Sequence, residues 1–328
     1  MPLSTPAMTA ARWSSLRLRQ TAHLRDLCAE TSFTIAHLIQ PLFIVEGLES
    51  PEAIPGLDGN YRYGLNAALD AIAADCAKGV RHFLLFAVPS STPSPFGVFA
   101  ARAVDAIKRR FGGDLHLWVD ICLCSSTADG HCAIADTQQR IDLDATLGAL
   151  EEMTLRVAGS GADGISPSDM MDGRTARLRA ALDDRGHGPV PIMSYSTKFA
   201  SRFYGPFRAA AGSAPRHGSR EHYQIDVRSR TDAIGSSVRC ASEGADLLMV
   251  KPGLTSLDLI GPIRETTGRL VGAYQVSGEY AGLCALGRDG LADFDAALLE
   301  TWHVFRRAGA AFIITYGARR AAALGVPA

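Results

Sequence analysis

Eight short apolar runs recur along the chain, at residues 41–47, 81–89, 115–123, 161–169, 189–196, 246–253, 270–278 and 310–318. Longer stretches rich in Ala, Leu, Arg and Glu separate them, with apolar residues at helical spacing. Strands that are apolar nearly throughout and alternate with helices belong to a parallel sheet covered on both faces. Eight such units are the number that closes a barrel, so the pattern predicts a (β/α)8 TIM barrel of α/β class. Several strands follow a similar punctuation, Gly161-Ala162-Asp163, Gly244-Ala245-Asp246 and Gly309-Ala310-Ala311. A helix that ends on a glycine and turns into a strand leaves this trace. A doubly wound sheet would need a glycine-rich turn after its first strand, and the first run is followed by none. Residues 159–164, GSGADG, fit G-x-G-x-x-G, but they run from helix to strand, the reverse of a dinucleotide-binding order, and read as a plain turn.

With 328 residues, 47% hydrophobic and 20% charged, the chain can bury a large core. Its net charge of -1 argues against nucleic acid or an anionic membrane as the main partner. No run approaches the roughly 18 apolar residues of a membrane span. The first 25 residues hold no acid and four arginines, Arg12, Arg17, Arg19 and Arg25. That composition suits an organelle transit segment; the reading preferred here is an N-terminal arm, residues 1–36, that packs on a neighbouring subunit, ahead of a barrel at 37–328. Seven unevenly spread cysteines do not form a disulfide framework in a chain this long, which places it in a reducing cytoplasm.

Barrels of this kind collect chemistry at the C-terminal ends of their strands. There the third run carries Asp120, Cys122 and Cys124, the fourth Ser168 and Asp169, the sixth Lys251, the seventh Ser277 and the eighth Tyr316, while the fifth leads to Lys198. Strand alternation puts Asp120, Cys122 and Cys124 on one face and Val119, Ile121 and Leu123 on the other. With Cys132 they make C-x-C-x7-C, three thiolates that would leave a zinc ion one open position. The plainer reading is three buried core cysteines, and Cys28, Cys76, Cys240 and Cys284 take that reading by default. Lys198 and Lys251, on adjacent strands, bring two ammonium groups together in a partly apolar mouth, where burial and like charge lower a lysine pKa. A neutral amine can then attack a ketone and form a Schiff base. Surface lysines, or lysines that bind an anion, are the alternative. Residues 204–224 are polar and long for a loop, which suggests a lid. Within it Arg208 and Arg220 offer forked donors to a carboxylate, although each alone suits a solvated surface equally well.

From about Leu18 to Ala318 the sequence resembles the porphobilinogen synthase (5-aminolevulinate dehydratase) family. The stretches that carry the resemblance are LIQPLFIVEG, VDICLC with GHC, SPSDMMDGR, IMSYSTKFASRFYGPFRAAAGSAP, EGADLLMVKPG, AYQVSGEY and IITYGA, in that order. The resemblance implies a homo-oligomeric TIM barrel, commonly an octamer, in which the arm wraps a neighbour; dimers or hexamers are the other assemblies considered. It implies condensation of two 5-aminolevulinate molecules to porphobilinogen with loss of two waters. Carried across by motif, Lys251 forms a Schiff base with the first substrate and Lys198 is the second active-site lysine. Ser277 and Tyr316 hold one carboxylate, and Arg208, Arg220 and Gln224 hold the other. Asp120 lies near the second substrate's amine, and Cys122, Cys124 and Cys132 bind zinc.

The sequence also departs from the family pattern. Ser125-Ser126-Thr127-Ala128-Asp129 follows the second cysteine where a Glu or Pro before Tyr is usual, and Gly253-Leu254-Thr255-Ser256 replaces Ala-Leu-Pro-Tyr after the Lys-Pro. Ser236 stands where many bacterial members place a glutamate associated with an allosteric magnesium, so that magnesium is expected to be absent. The loop after the second strand looks shortened. Three other readings stand beside the dehydratase: a paralogue acting on a related amino-ketone, a class I aldolase or lyase using the lysine without metal, and a non-catalytic zinc-binding barrel.

Overall fold

The computed structural model describes residues 16–328, so Arg12 and the start of the arginine-rich segment lie outside the described residues. The chain divides into two compact units, Met1–Ser32 and Phe33–Ala328. The described part of the first holds a 3-10 turn, Arg17–Arg19, and a short helix, Ala22–Leu27. Thr21 Oγ1 caps that helix by accepting the Leu24 N–H at 3.2 Å.

The second unit carries the predicted strands: β1 Leu38–Val45, β2 His82–Val88, β3 His116–Ile121, β4 Gly164–Pro167, β5 Met193–Lys198, β6 Leu247–Lys251, β7 Leu270–Gln275 and β8 Ile313–Thr315. Helices α1 Leu65–Ala77, α2 Val98–Phe111, α3 Leu143–Gly159, α4 Arg174–Asp184, α5 Arg230–Ser242 and α6 Leu257–Thr267 alternate with the first seven strands, and α7 Ser277–Arg288 and α8 Phe294–Arg307 both lie between β7 and β8. The strands pair in parallel in the order β4-β3-β2-β1-β8-β7-β6-β5. A parallel bridge between Ile165 and Ile192 closes the ring, with the Ile165 N–H donating to the Pro191 carbonyl at 3.0 Å. The fold is therefore the (β/α)8 barrel that the apolar runs require. All eight residues of β1 and all six of β5 are buried, as strands covered on both faces must be. No helix among the described residues is long and apolar enough to cross a membrane.

Strand limits differ from the sequence reading where local chemistry intervenes. β5 begins at Met193, not at residue 189, because Pro189 and Pro191 have no N–H to give the ladder. The strand then runs on to include Lys198 itself. Ser277 is not on β7 but opens α7, and Tyr316 lies one residue beyond β8. Cys122 and Cys124 lie past the end of β3, in a turn where the Ser126 N–H donates to the Leu123 carbonyl at 2.8 Å.

Two local features set up the mouth and the opposite end. Gly161, Gly244 and Gly309 adopt φ of 95°, 99° and 99°, so the repeated punctuation marks left-handed turns from helix to strand. Between β5 and β6 the register is Ser194 to Leu248 and then Thr197 to Val250, so β5 carries one extra residue. This bulge moves the next pairing along by one and sets Lys198 directly across from Lys251.

Candidate active site

Because residues paired in a parallel ladder point to the same side, the bulge brings the two ammonium groups to one face at the barrel mouth. Both are buried, with 5% of Lys198 and 4% of Lys251 exposed. Their surroundings differ. Lys198 Nζ donates to the backbone carbonyl of Ser168. Lys251 Nζ instead sits in an aromatic box, 4.4 Å from the ring centre of Tyr274, 4.8 Å from Phe207, 4.9 Å from Tyr195 and 5.2 Å from Tyr204. Burial, with the charge of Lys198 added, lowers the Lys251 pKa to about 7, so a large share of this amine is neutral near physiological pH.

Asp120, on β3, faces the same space. Its Oδ1 is buried without a hydrogen-bond partner, and burial raises the carboxyl pKa to about 6 against the pull of Lys198 and Lys251. It lines a cavity with Phe86, Ser94, Cys122, Cys124 and Phe207. The Cys122 and Cys124 sulfurs are 3.3 Å apart, and with Cys132 all three lie within 4.8 Å of one another. The loop from Cys124 to Cys132 returns the third thiol, which Tyr223 fixes by accepting the Cys132 N–H on its hydroxyl at 3.3 Å. Hydrogen bonding with Cys122 and Cys124 holds the Cys132 thiol below its ordinary pKa, while Cys124 is pushed up to about 11. A metal about 2.3 Å from each sulfur would hold them about 3.8 Å apart, so this buried trio fits a thiolate-bound ion.

Residues 204–224 contribute a second cluster. This segment contains a short helix, Gly205–Ala210, and then folds against the cysteine loop, with Arg220 Nη2 donating to the Gly130 carbonyl at 2.8 Å and the Arg216 N–H to the Asp129 carbonyl at 2.9 Å. Arg208, Arg220 and Gln224 line one cavity. Arg208 Nε and both side-chain polar atoms of Gln224 are buried without hydrogen-bond partners. Ser277 and Tyr316 each contact a residue of the aromatic box. Ser277 Oγ accepts the Phe207 N–H at 3.0 Å, and the Tyr316 hydroxyl lies 3.3 Å from that of Tyr274.

Sequence reasoning missed the aromatic box and Glu279. A signal for the box was available, since five of the fifteen residues 193–207 are aromatic in a chain that is 7% aromatic. Glu279 is buried and accepts the Val276 N–H on Oε2 and the Leu254 N–H on Oε1, both at 2.8 Å. It ties the first turn of α7 to the turn just after Lys251, and its burial raises its pKa to about 7. Ser236, expected not to serve a magnesium ion, is buried on α5 near an ion pair between Arg239 and Asp172 at 2.8 Å.

The family model described as Delta-aminolevulinic acid dehydratase matches residues 13–324. The chain is 40% identical over 318 residues to a delta-aminolevulinic acid dehydratase of Helicobacter pylori, covering 94% of this chain and 97% of the relative. It is 38% identical over 316 residues to the Synechococcus elongatus enzyme of that name, covering 93% and 96%. Its fold superposes with a TM-score of 0.90, at 36% identity and with 97% and 92% coverage, on the Toxoplasma gondii delta-aminolevulinic acid dehydratase (porphobilinogen synthase) solved with its reaction product porphobilinogen. On the strength of these matches, the chain belongs to the delta-aminolevulinic acid dehydratase family.

Proposed function

We propose that this chain is a hydro-lyase that condenses two molecules of 5-aminolevulinate to porphobilinogen and two waters, a step of tetrapyrrole and heme biosynthesis. The observation that carries the reading is the in-register pair of buried lysines, one of them in an aromatic box with a pKa near 7, beside Asp120 and three clustered cysteines. This set also separates the reading from a metal-free aldolase, which has no use for the thiols.

Neutral Lys251 attacks the ketone carbon of one substrate, and the ketone oxygen leaves as water to give an iminium that withdraws electrons from the adjacent carbon. Lys198 receives the second substrate. Asp120, with a pKa of about 6, can hold or release a proton in the space facing both lysines. One C–C and one C–N bond then form between the substrates, the second ketone oxygen leaves as water, and both lysines return as free amines. Arg208, Arg220 and Gln224 bind one carboxylate and Ser277 with Tyr316 the other, so that the mouth holds two copies of one small molecule in reacting orientation. The 204–224 lid keeps bulk water out.

Cys122, Cys124 and Cys132 would hold zinc, which three thiolates favour over harder ions. When bound, zinc supplies Lewis acidity that polarises a substrate group near Asp120. No allosteric magnesium is proposed, because Ser236 offers no carboxylate. The assembly we propose is a homo-oligomer, an octamer in the first instance, with residues 1–36 packing on a neighbouring subunit. Leu16, Leu18 and Leu27, at 49%, 56% and 81% exposed, support this as apolar groups of that segment. A cytoplasmic location suits the seven free thiols.

The test is incubation with 5-aminolevulinate, borohydride reduction, mapping of the adduct by mass spectrometry, and a parallel colour assay for the pyrrole. Pyrrole product with an adduct on Lys251 supports the reading. An adduct without pyrrole, or neither, overturns it.

A further inference from the structure

Resting on the dehydratase reading, we infer that Arg174, braced by Asp169, is a positioning residue: it holds the β5 bulge and the β4–α4 turn in the arrangement that sets Lys198 beside Lys251. Arg174 touches neither lysine. Its guanidinium is buried, with 1% of the residue exposed, and its contacts span both segments that place Lys198. Nη2 donates to the Tyr195 carbonyl at 3.1 Å and reaches Ser194 Oγ at 3.5 Å, at the point where the β5–β6 register shifts. Nη1 donates to the Met171 carbonyl at 3.0 Å in the turn after β4.

That turn is under local strain. Met170 has φ of 78°, a left-handed conformation that a side chain such as methionine rarely adopts without support. The support comes from both polar groups of the next residue: Asp169 Oδ1 accepts the Met171 N–H at 2.7 Å while Arg174 takes the Met171 carbonyl. Immediately before Asp169 stands Ser168, whose carbonyl accepts the hydrogen bond from Lys198 Nζ. The brace therefore fixes the acceptor that holds Lys198. It also fixes Tyr195, whose ring lies 5.7 Å from Lys198 Nζ and 4.9 Å from Lys251 Nζ.

Stability alone gives a weak account of this pair. Arg174 Nε and Asp169 Oδ2 are 3.7 Å apart, and each is buried without a hydrogen bond. A buried ion pair of such loose geometry recovers little of its desolvation cost, and apolar side chains of similar volume would serve packing as well. The fork does what apolar groups cannot, reaching two backbone carbonyls on two different segments at once. A lysine, with one compact charge on a flexible stem, cannot span them.

The test compares the full-length wild type with Arg174→Lys and Asp169→Asn in three measurements: pyrrole turnover, borohydride capture of 5-aminolevulinate at Lys251, and thermal unfolding. If Arg174 positions Lys198, R174K loses about 100-fold in kcat, the scale of an ångström-level misplacement, while capture at Lys251 stays within about threefold. D169N shows the same split with a loss of about 10-fold. A role in folding alone would lower capture and turnover in parallel. That parallel loss, or turnover within about threefold of wild type in both variants, overturns the inference. Should R174K fail to fold, D169N, which keeps the side-chain shape, decides by the same split. Wild-type protein that forms neither adduct nor pyrrole overturns the dehydratase reading, a result separate from any variant's.

Discussion

The two ends of the barrel treat carboxylates in opposite ways. At the end where helices pass into strands, the aspartates of the repeated Gly-Ala-Asp punctuation are stitched into the fold. Asp163 Oδ2 accepts the Leu117 N–H at 2.8 Å and pairs with Lys108 at 2.7 Å, and Asp246 Oδ2 accepts the Ile192 N–H at 2.8 Å. At the mouth, Asp120 Oδ1, the Tyr195 hydroxyl and both side-chain atoms of Gln224 are buried with no partner. Lys251 there faces four aromatic rings. Satisfied polar groups hold strands in register, whereas unsatisfied ones stay available to a ligand at some expense in stability. Conserving this division within one barrel lets the lower end absorb what the mouth gives up.

Removal of Lys251, the nucleophile in the proposed reaction, gives the largest expected effect. Lys251→Met should lower turnover by roughly 10⁴-fold or more, as loss of a covalent catalyst does, and leave the melting temperature equal or higher because a buried ammonium is gone. Pyrrole assay and calorimetry check both. A melting temperature that falls with the activity would mean that this lysine also holds the fold. Next in size is the cysteine trio. Replacing Cys122 and Cys132 with Ser, or treating the protein with a chelator, should remove one bound metal per chain and lower turnover by about 100-fold or more, read by elemental analysis beside activity. Unchanged metal content in the double variant would return the trio to ordinary core cysteines.

The same contrast explains what could be read from the sequence. The barrel was legible because the apolar runs repeat the same physics eight times and the glycine punctuation marks three of them, two with a lower-end aspartate. The lysines and cysteines were legible as residue types out of place in apolar segments. What brings them together was not. The extra residue at Tyr195 and Ser196 in β5 changes which residue faces Lys251, and no local pattern marks it. Asp120 lies on the strand, but Cys122 and Cys124 both lie beyond its end, and it is the turn after β3 that carries them to the cavity Asp120 lines. Glu279 escaped notice because its role lies in backbone N–H groups of a segment some 25 residues away, at Leu254.

A smaller effect tests how the mouth tunes its amine. Below a pH of about 7 Lys251 is protonated and inert, so the rate of borohydride-trappable adduct formation should rise through that pH and then level off. The native state sheds this proton at a lower pH than the unfolded chain, whose ordinary value is 10.5, so this group adds stability as pH rises between the two values and none is gained below them. Lys198→Met removes the nearby positive charge and should move the inflection to higher pH, although burial keeps it below the ordinary lysine value. An inflection that does not move would show that the two ammonium groups are screened from each other.

The smallest effect on chemistry should come from the stitched end. Asp246→Ala deprives the buried Ile192 N–H of its acceptor, which costs about 1–3 kcal/mol and lowers the melting temperature by a few degrees. Activity per folded enzyme should hold, because Asp246 precedes β6 and Lys251 ends it, with the apolar residues Leu248, Met249 and Val250 buried between them. The outcome that breaks the division is a variant that melts like wild type yet turns over poorly. It would mean that the start of β6 sets the register of its end, so that the bulge opposite Lys251 depends on where the strand is pinned as well as on the brace beside it.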